Sequence, residues 1–286
     1  MSISVGSNTT SGTAQRFLEA TGKKLSDSFS KLSSGQRVNK GSDDAAGLAI
    51  SESLKAQARI AGQAIRNTND GISTIAIADG ALGEVANILA RLAELASQSA
   101  NGTLSVAQRS VVQNEFVALG SEIERISQVT EFNGIQLLSG SQNITIQVGT
   151  GSTVDNRVSY SSQLATLQGL GLGDASGALT FSINAASNDD AATASRLALD
   201  AVYSAIYSVG AARGVLGGVE SRLATAITNL GVAKENYNGA NSRIRDIDVA
   251  EEAASLTRYN ILQQAGTSVL AQANQLPSLA LQLLRF

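Results

Sequence analysis

Histidine, cysteine and tryptophan are absent from this 286-residue chain, and three groups of chemistry go with them. Zinc sites of the usual ligand types, Ser/His/Asp or Cys/His catalytic units and disulfide frameworks all need residues it lacks. Carboxylates, lysine, tyrosine and hydroxyls are what remain for catalysis. Aromatics are limited to five tyrosines and six phenylalanines, and proline occurs once, at Pro277. That scarcity argues against a β-sandwich or an aromatic-lined ligand pocket. The formal net charge is -3 with both signs interspersed, which leaves no basic stripe for nucleic acid. A mean hydropathy of +0.05, with no uninterrupted apolar run of membrane-spanning length, predicts no transmembrane helix. Residues 1–12 have neither the basic nor the apolar part of a cleaved secretory signal, a composition that by itself reads as cytoplasmic.

What the chain has in abundance is Ala, Leu, Ser, Gln and Asn, the material of long helices packed through small side chains. Leu18, Thr21, Leu25, Phe29 and Leu32 recur in steps of three and four, a narrow seam on one helix face. The polar stretch 33–42 reads as a linker. A second helix is expected after Ser42 as N-cap, with Asp43 and Asp44 in its first turn, carrying Ile72, Ile75, Ala78, Leu82, Val85, Leu89, Leu92 and Ala96. Glycines at 47, 62, 71, 80 and 83 interrupt it, so propensity predicts a break at Asn67 to Gly71 unless packing is continuous. A third helix follows Ser105, antiparallel to the second because the spacer is short.

From Phe132 to about Ala186 the pattern changes. Ile144, Ile146 and Val148 alternate with polar residues, as do Leu179, Phe181 and Ile183, predicting a few short strands. The many Ser and Thr between 139 and 162 suggest a small exposed insert at the tip of a rod. Helix returns after Asp189 and Asp190, with Leu216, Leu223, Leu230 and Tyr237 spaced by seven, and a turn at Asn238-Gly239 precedes a final helix bearing Leu262, Ala265, Val269, Ala273, Leu276, Ala280 and Leu283. The predicted fold class is mainly α, a long antiparallel helical rod and terminal coiled coil with a small β-hairpin-containing insert.

Candidate chemistry is sparse. Ser28 and Lys31 match a Ser-x-x-Lys nucleophile spacing, yet no Lys-Thr-Gly partner motif accompanies them. Gly169, Gly171, Gly173 and Gly177 form a glycine-rich loop without the Lys-Ser/Thr of a phosphate cradle. The acidic clusters Asp43/Asp44, Asp246/Asp248 and Glu251/Glu252 sit at predicted helix starts, where capping explains them better than metal binding or acid–base work. Triplets at Asn8, Asn101 and Asn143 fit the N-glycosylation pattern by chance. No catalytic, cofactor or metal site is expected. The terminal seams are different: two narrow stripes of Leu and Ala are marginal alone and gain stability from neighbouring copies. The residues thus favour a self-assembling rod over two helices that merely pair within one monomer.

Longer motifs then carry a family resemblance. Residues 31–50, with Arg66-Asn67-Thr68-Asn69-Asp70-Gly71-Ile72-Ser73, Asp79-Gly80-Ala81-Leu82, Gln98-Ser99-Ala100-Asn101-Gly102-Thr103 and Phe132-Asn133-Gly134, are similar to the N-terminal signature of bacterial flagellins. Ser242-Arg243-Ile244-Arg245-Asp246-Ile247-Asp248 and Leu270-Ala271-Gln272-Ala273-Asn274-Gln275 are similar to the C-terminal one. The chain departs from the family pattern at Lys40-Gly41-Ser42, in its polar first residues and at Phe286. Its short middle resembles a minimal subunit without large outer domains.

The resemblance implies a non-enzymatic filament subunit for swimming motility, exported unfolded through the flagellar type III apparatus without a cleaved signal and assembled outside the cell. It divides the chain into a terminal coiled-coil domain (1–41 and 241–286) lining a tube, a helical rod domain (42–138 and 186–240) and a small β-rich part (139–185). Assembly falls to Leu18, Leu25, Phe29, Leu32, Leu262, Val269, Leu276 and Leu283. Implied partners are further copies of the chain, an export chaperone, the filament cap and hook-filament junction proteins. Arg91, Leu95 and Glu115 resemble positions gripped by the animal Toll-like flagellin receptor. Arg37, Asp43 and Gly47 lie in a segment similar to the peptide sensed by the plant flagellin receptor kinase. A hook-filament junction protein and an enzyme-bearing flagellin are the alternatives, and neither nucleic acid nor membrane is among the expected partners.

Overall fold

The computed structural model describes residues 7–283, with side chains described through Leu276. Five helices hold most of the chain: α1 (Thr9–Ser34), α2 (Ala45–Ser99), α3 (Val106–Val129), α4 (Asn188–Arg245) and α5 (Val249–Leu283). Between α3 and α4 lie two antiparallel strand pairs, β1 (Glu131–Phe132) with β2 (Ile135–Gln136) and β3 (Asn143–Gln147) with β4 (Arg157–Ser161). The chain divides into a terminal unit, Met1–Ala58 with Glu235–Phe286, and a central unit, Arg59–Lys234.

Three helix boundaries differ from the sequence expectation. Asp44, not Ser42, caps α2: its Oδ1 accepts the Gly47 amide at 2.8 Å. Asp43 turns back instead to accept the amides of Asn39 and Lys40, and those bonds hold its carboxyl below the usual pKa. Helix α2 also runs unbroken through Asn67 to Gly71. There a Cβ would run into Ile146 of β3, so Gly71 is the seat for a strand residue and the packing keeps the helix whole. Likewise α4 continues through Asn238-Gly239 and stops at Arg245. The break falls at 246–248, where Asp248 Oδ1 accepts the amides of Ala250 and Glu251 to start α5. The expectation for α3 was met with a full capping box between Ser105 and Gln108, which satisfies otherwise orphaned amides.

Besides a small cluster of Ala61, Ala64 and Leu230, the central unit has one large apolar core. Ile75, Leu82, Val85 and Leu89 of α2, Phe116 and Ile123 of α3, and Val202, Val209, Leu216 and Leu223 of α4 are buried in it, as periods of three, four and seven predict. A window of 18 residues within α2 reaches a mean hydropathy of 1.3 and meets the length and composition test for a membrane span, contrary to the expectation that none would. Its alanine and isoleucine content raises the mean, while Ile75, Ala78 and Leu82 in that helix serve the core. At the level of Asp79, Arg213 of α4 reaches across with Nε and Nη2 at 2.7 and 3.0 Å from the two carboxylate oxygens.

The insert is neither a tip nor apart from the core. Register pairs Ile144 with Tyr160 and Ile146 with Val158, putting apolar side chains on one face; Thr145 and Ser159 hydrogen bond at 3.0 Å on the other. Ser and Thr therefore mark the outer face of a hairpin whose inner face joins the core. The second expected strand, Leu179 to Ile183, is irregular. Its backbone is satisfied elsewhere: Ile183 donates to Gln113 Oε1 at 2.7 Å, and its carbonyl accepts from Ser99 at 2.6 Å and Ser195 at 3.2 Å. Asn133 and Gly134, at φ 51° and 77°, make the two-residue turn between β1 and β2, both in the left-handed region such a turn requires.

Candidate assembly interface

In the terminal unit α1 and α5 pack antiparallel along their length. Asn8 Nδ2 donates to the Ala273 carbonyl at 2.9 Å and Ser11 Oγ to Asn274 Oδ1 at 2.7 Å. Further along, Leu18 touches Gly266, and the Lys24 ammonium stands 6.0 Å from the Tyr259 ring centre. Small residues let the backbones approach: Ser11 and Ser28 of α1 and Ala273 of α5 are buried at the contact. Leu18, Thr21, Leu25 and Leu32 are half-buried on this inner face.

Phe29 departs from the expected seam. Ser28 takes the inner position, and Phe29, like Phe17, is exposed. On α5 the residues singled out from the sequence are only partly covered: Leu262, Val269 and Leu276, with Phe17, Phe29 and Ile261, are between 45% and 70% exposed. The side chain of Leu283 lies outside the described residues. Both helices thus keep apolar area open beside the contact that they make with each other. The neighbours Phe17-Leu18 carry that signal in the sequence, because adjacent residues stand about 100° apart on a helix and cannot share a narrow seam. Thr9, Thr13, Phe17, Val269 and Leu276 line an open groove of about 460 Å³ along this side.

The breaks at both ends of the α1–α5 pair's linkers are tied to each other. Arg37 N donates to the Arg245 carbonyl at 2.6 Å and Ile247 N to the Gly35 carbonyl at 3.2 Å. Arg37 Nη2 reaches the Ile244 carbonyl at 2.7 Å, and Arg245 binds Gln36 Oε1 at 2.9 Å while pairing with Glu52. Gly35, at φ 69°, terminates α1 in the left-handed conformation, which glycine adopts without strain. Arg37 and Asp43 are exposed in this linker and Gly47 is buried behind Asp44.

In the central unit Arg91 donates to Glu115 Oε1 through Nε at 3.0 Å and Nη2 at 2.8 Å, and to Glu94 at 2.8 Å. The hydrogen bonds to Glu94 and then Glu115 raise the arginine's pKa further. Leu95 is 1% exposed; it supports this surface from the core and offers no face of its own.

The remaining candidates are structural. Ser28 is buried at the helix contact, with nothing around it to hold an oxyanion. Gly171 and Gly177 have positive φ in turns. Among the described residues no group of three His, Cys, Asp or Glu side chains is placed to hold a metal ion. Sequence reasoning missed Arg109, a buried cation in the central unit, because an arginine in a polar helix reads as solvated.

Comparison with known proteins agrees with this architecture. The model of the bacterial flagellin N-terminal helical region matches residues 5–143, and that of the C-terminal helical region matches residues 199–284. Flagellin of Halalkalibacterium halodurans is 43% identical over 255 residues, covering 89% of this chain and 90% of its own. The flagellar filament 33 kDa core protein of Treponema phagedenis is 37% identical over 281 residues, covering 95% and 96%. A solved structure described as a flagellar hook-associated protein from Vibrio parahaemolyticus shares 17% identity and a TM-score of 0.58 over 71% of this chain and 100% of that one, a likeness of fold. Two terminal helical regions in the same order, and this identity over nearly the whole chain, establish that the protein belongs to the bacterial flagellin family.

Proposed function

We propose that this chain is the repeating subunit of an extracellular flagellar filament that transmits motor torque for swimming, with no enzymatic activity of its own. The observation that carries the reading is the apolar area left open on the α1–α5 pair, where Phe17, Phe29, Leu262, Val269 and Leu276 stand exposed. Covering such side chains contributes on the order of 1 kcal/mol each when half their area is withdrawn from water. A filament repeats that gain at every subunit. Heterologous contacts between different patches on the same chain generate open polymers rather than closed rings. The relatives' names, flagellin and flagellar filament core protein, support the same reading. Within it the terminal seams line the tube, the remaining helices surround them, and export in an unfolded state suits helices whose stability depends on partners. Export chaperone, cap and junction proteins are its expected contacts.

Deletion of residues 262–286 abolishes polymerisation in this reading, and so does replacing Leu262, Val269 and Leu276 together by serine, since about half of each side chain stays open in the subunit. Filaments formed by either variant in negative-stain microscopy would overturn it.

Receptor recognition is the finer part of the proposal. Arg91 and Glu115, held together on an exposed surface, are its contact for the animal receptor, with Leu95 behind them. Arg37 and Asp43, with Gly47 holding the local turn, form the plant-sensed segment. Arg91→Ala with Glu115→Ala lowers receptor signalling by the purified monomer; unchanged signalling rejects the assignment.

A further inference from the structure

Asparagine is followed by glycine at three places, Asn101-Gly102, Asn133-Gly134 and Asn238-Gly239. Such pairs share one intrinsic reaction, in which the glycine nitrogen, unhindered by a neighbouring side chain, attacks the asparagine side-chain carbon Cγ. The fold treats the three differently. Gly239 lies inside α4, where its N–H is engaged in the helix ladder. Asn133 and Gly134 form a hairpin turn, and no donor reaches either oxygen of Asn133 among the described residues.

Asn101-Gly102 is set up for the attack. Residues 101–103 are open to water, and the Gly102 amide makes no hydrogen bond among the described residues. Asn101 Oδ1 accepts the Thr103 amide at 3.2 Å, a bond that folds the side chain back over the following backbone and draws electron density from Cγ. The Asn101 carbonyl in turn accepts Arg109 Nη2 at 2.9 Å and the Leu104 amide at 3.4 Å. That carbonyl is conjugated with the Gly102 nitrogen. When the nitrogen gives up its proton, the charge is shared with an oxygen already held by a guanidinium, and hydrogen bonding to the charged form favours it. Arg109 is fully buried, and the oxygens it binds on Ser99, Asn101 and Asn188 are all neutral, so no carboxylate competes for its charge.

We infer that Arg109 and the Thr103 amide make Asn101 a self-modifying site, whose side chain closes on the Gly102 nitrogen to a succinimide that water then opens to isoaspartate. In the first step hydroxide takes the Gly102 proton, the N–Cγ bond forms, the Cγ–Nδ2 bond breaks, and Nδ2 leaves as ammonia with a proton from water. In the second, one water adds to the ring. Addition at the former Asn101 carbonyl carbon, the one polarised by Arg109, routes the chain through Cγ and leaves that carbon as a free carboxylate. The new charge forms at the oxygen held by Nη2, and the buried cation gains the acidic partner it lacks.

Ageing of the purified full-length chain at mildly alkaline pH, in buffer and in denaturing guanidinium chloride, tests this by peptide mapping with enzymatic methyl labelling of isoaspartate. The folded chain converts Asn101 about tenfold faster than the unfolded chain, the gain expected of one charge-assisted hydrogen bond to the developing charge. Asn133 and Asn238 convert more slowly folded than unfolded. The ratio of isoaspartate to aspartate at position 101 is higher in the folded chain. Arg109→Gln, which withdraws the cation, brings Asn101 to the unfolded rate and ratio and leaves Asn133 at its folded rate, a sign that the variant keeps its fold. Conversion of Asn101 in that variant as fast as in the natural chain overturns the role of the cation. Equal or slower conversion of Asn101 in the folded natural chain overturns the site itself, whether or not the variant folds.

Discussion

Arg109 Nε donates to the carbonyl of Ser99, the last residue of α2, at 2.9 Å from a position with no solvent exposure. Its other nitrogens reach the Asn101 carbonyl at 2.9 Å and the carbonyl and Oδ1 of Asn188 at 3.2 and 3.0 Å. A buried cation is here answered by backbone oxygens and by the negative end of a helix dipole, without an acidic partner. The planar guanidinium serves the end of α2, the following turn and the start of α4 at once.

Arg109→Met leaves these carbonyls unpaired and lowers unfolding free energy by about 3 kcal/mol. Arg109→Lys recovers less than half of that loss, because a single ammonium cannot span three chain segments. Urea denaturation followed by circular dichroism checks both, and a lysine variant as stable as the natural chain would show that charge alone matters.

Gly71→Ala runs against its own helix propensity. The methyl group gains about 1 kcal/mol of propensity but forces Ile146 aside in a close-packed core, at a cost of about 1–3 kcal/mol. The net effect is destabilising, and Ile146→Val in the same chain relieves part of it. Additive effects in the double-mutant cycle would mean that the two residues do not meet.

Tyr160 is buried on the inner face of β4, and desolvation pushes its phenol up to about 12 from the ordinary 10.0. The neutral form is favoured by the fold, so this group's stabilising share is complete below the unfolded-state value and fades as pH rises from about 10 through 12. Ultraviolet titration of phenolate absorbance then shows a late phase that Tyr160→Phe removes. The substitution also makes the folded chain less sensitive to alkali over that interval. A titration unchanged by the substitution would place the late phase elsewhere.

The helices were legible wherever a period of three and four set the buried face, as with Val85, Leu89 and Leu92 in α2 or Leu216, Leu223 and Leu230 in α4. Breaks were less so. Gly71 and Asn238-Gly239 look alike as local signals, yet the first is held by Ile146 from a strand far along the chain and the second lies inside a continuous helix. Propensity competes there with contacts that a local pattern does not contain. The hairpin was half legible: Ile144 and Ile146 alternated visibly, but their partners Val158 and Tyr160 sit in a segment as rich in serine as a loop. For the candidate interface the apolar residues of α1 and α5 were evident, while the division into a face turned inward and a face turned out was not. Phe29 is the clearest case, since one residue's shift around the helix decides between the two.

The contacts along α1 and α5 join residues that are among the most distant in the sequence: Asn8 and Ala273 stand 265 positions apart, and Ser11 and Asn274 stand 263 apart. A chain that leaves its point of synthesis or transport with the N-terminus first presents α1 with no partner until α5 arrives. Closure over such a span comes late in folding. In the filament proposed above the pairing would act as a proofreading step: any product that ends before α5 leaves Leu18 and Leu25 bare, lacks Leu262 and Val269, and would be barred from the polymer at the point of entry.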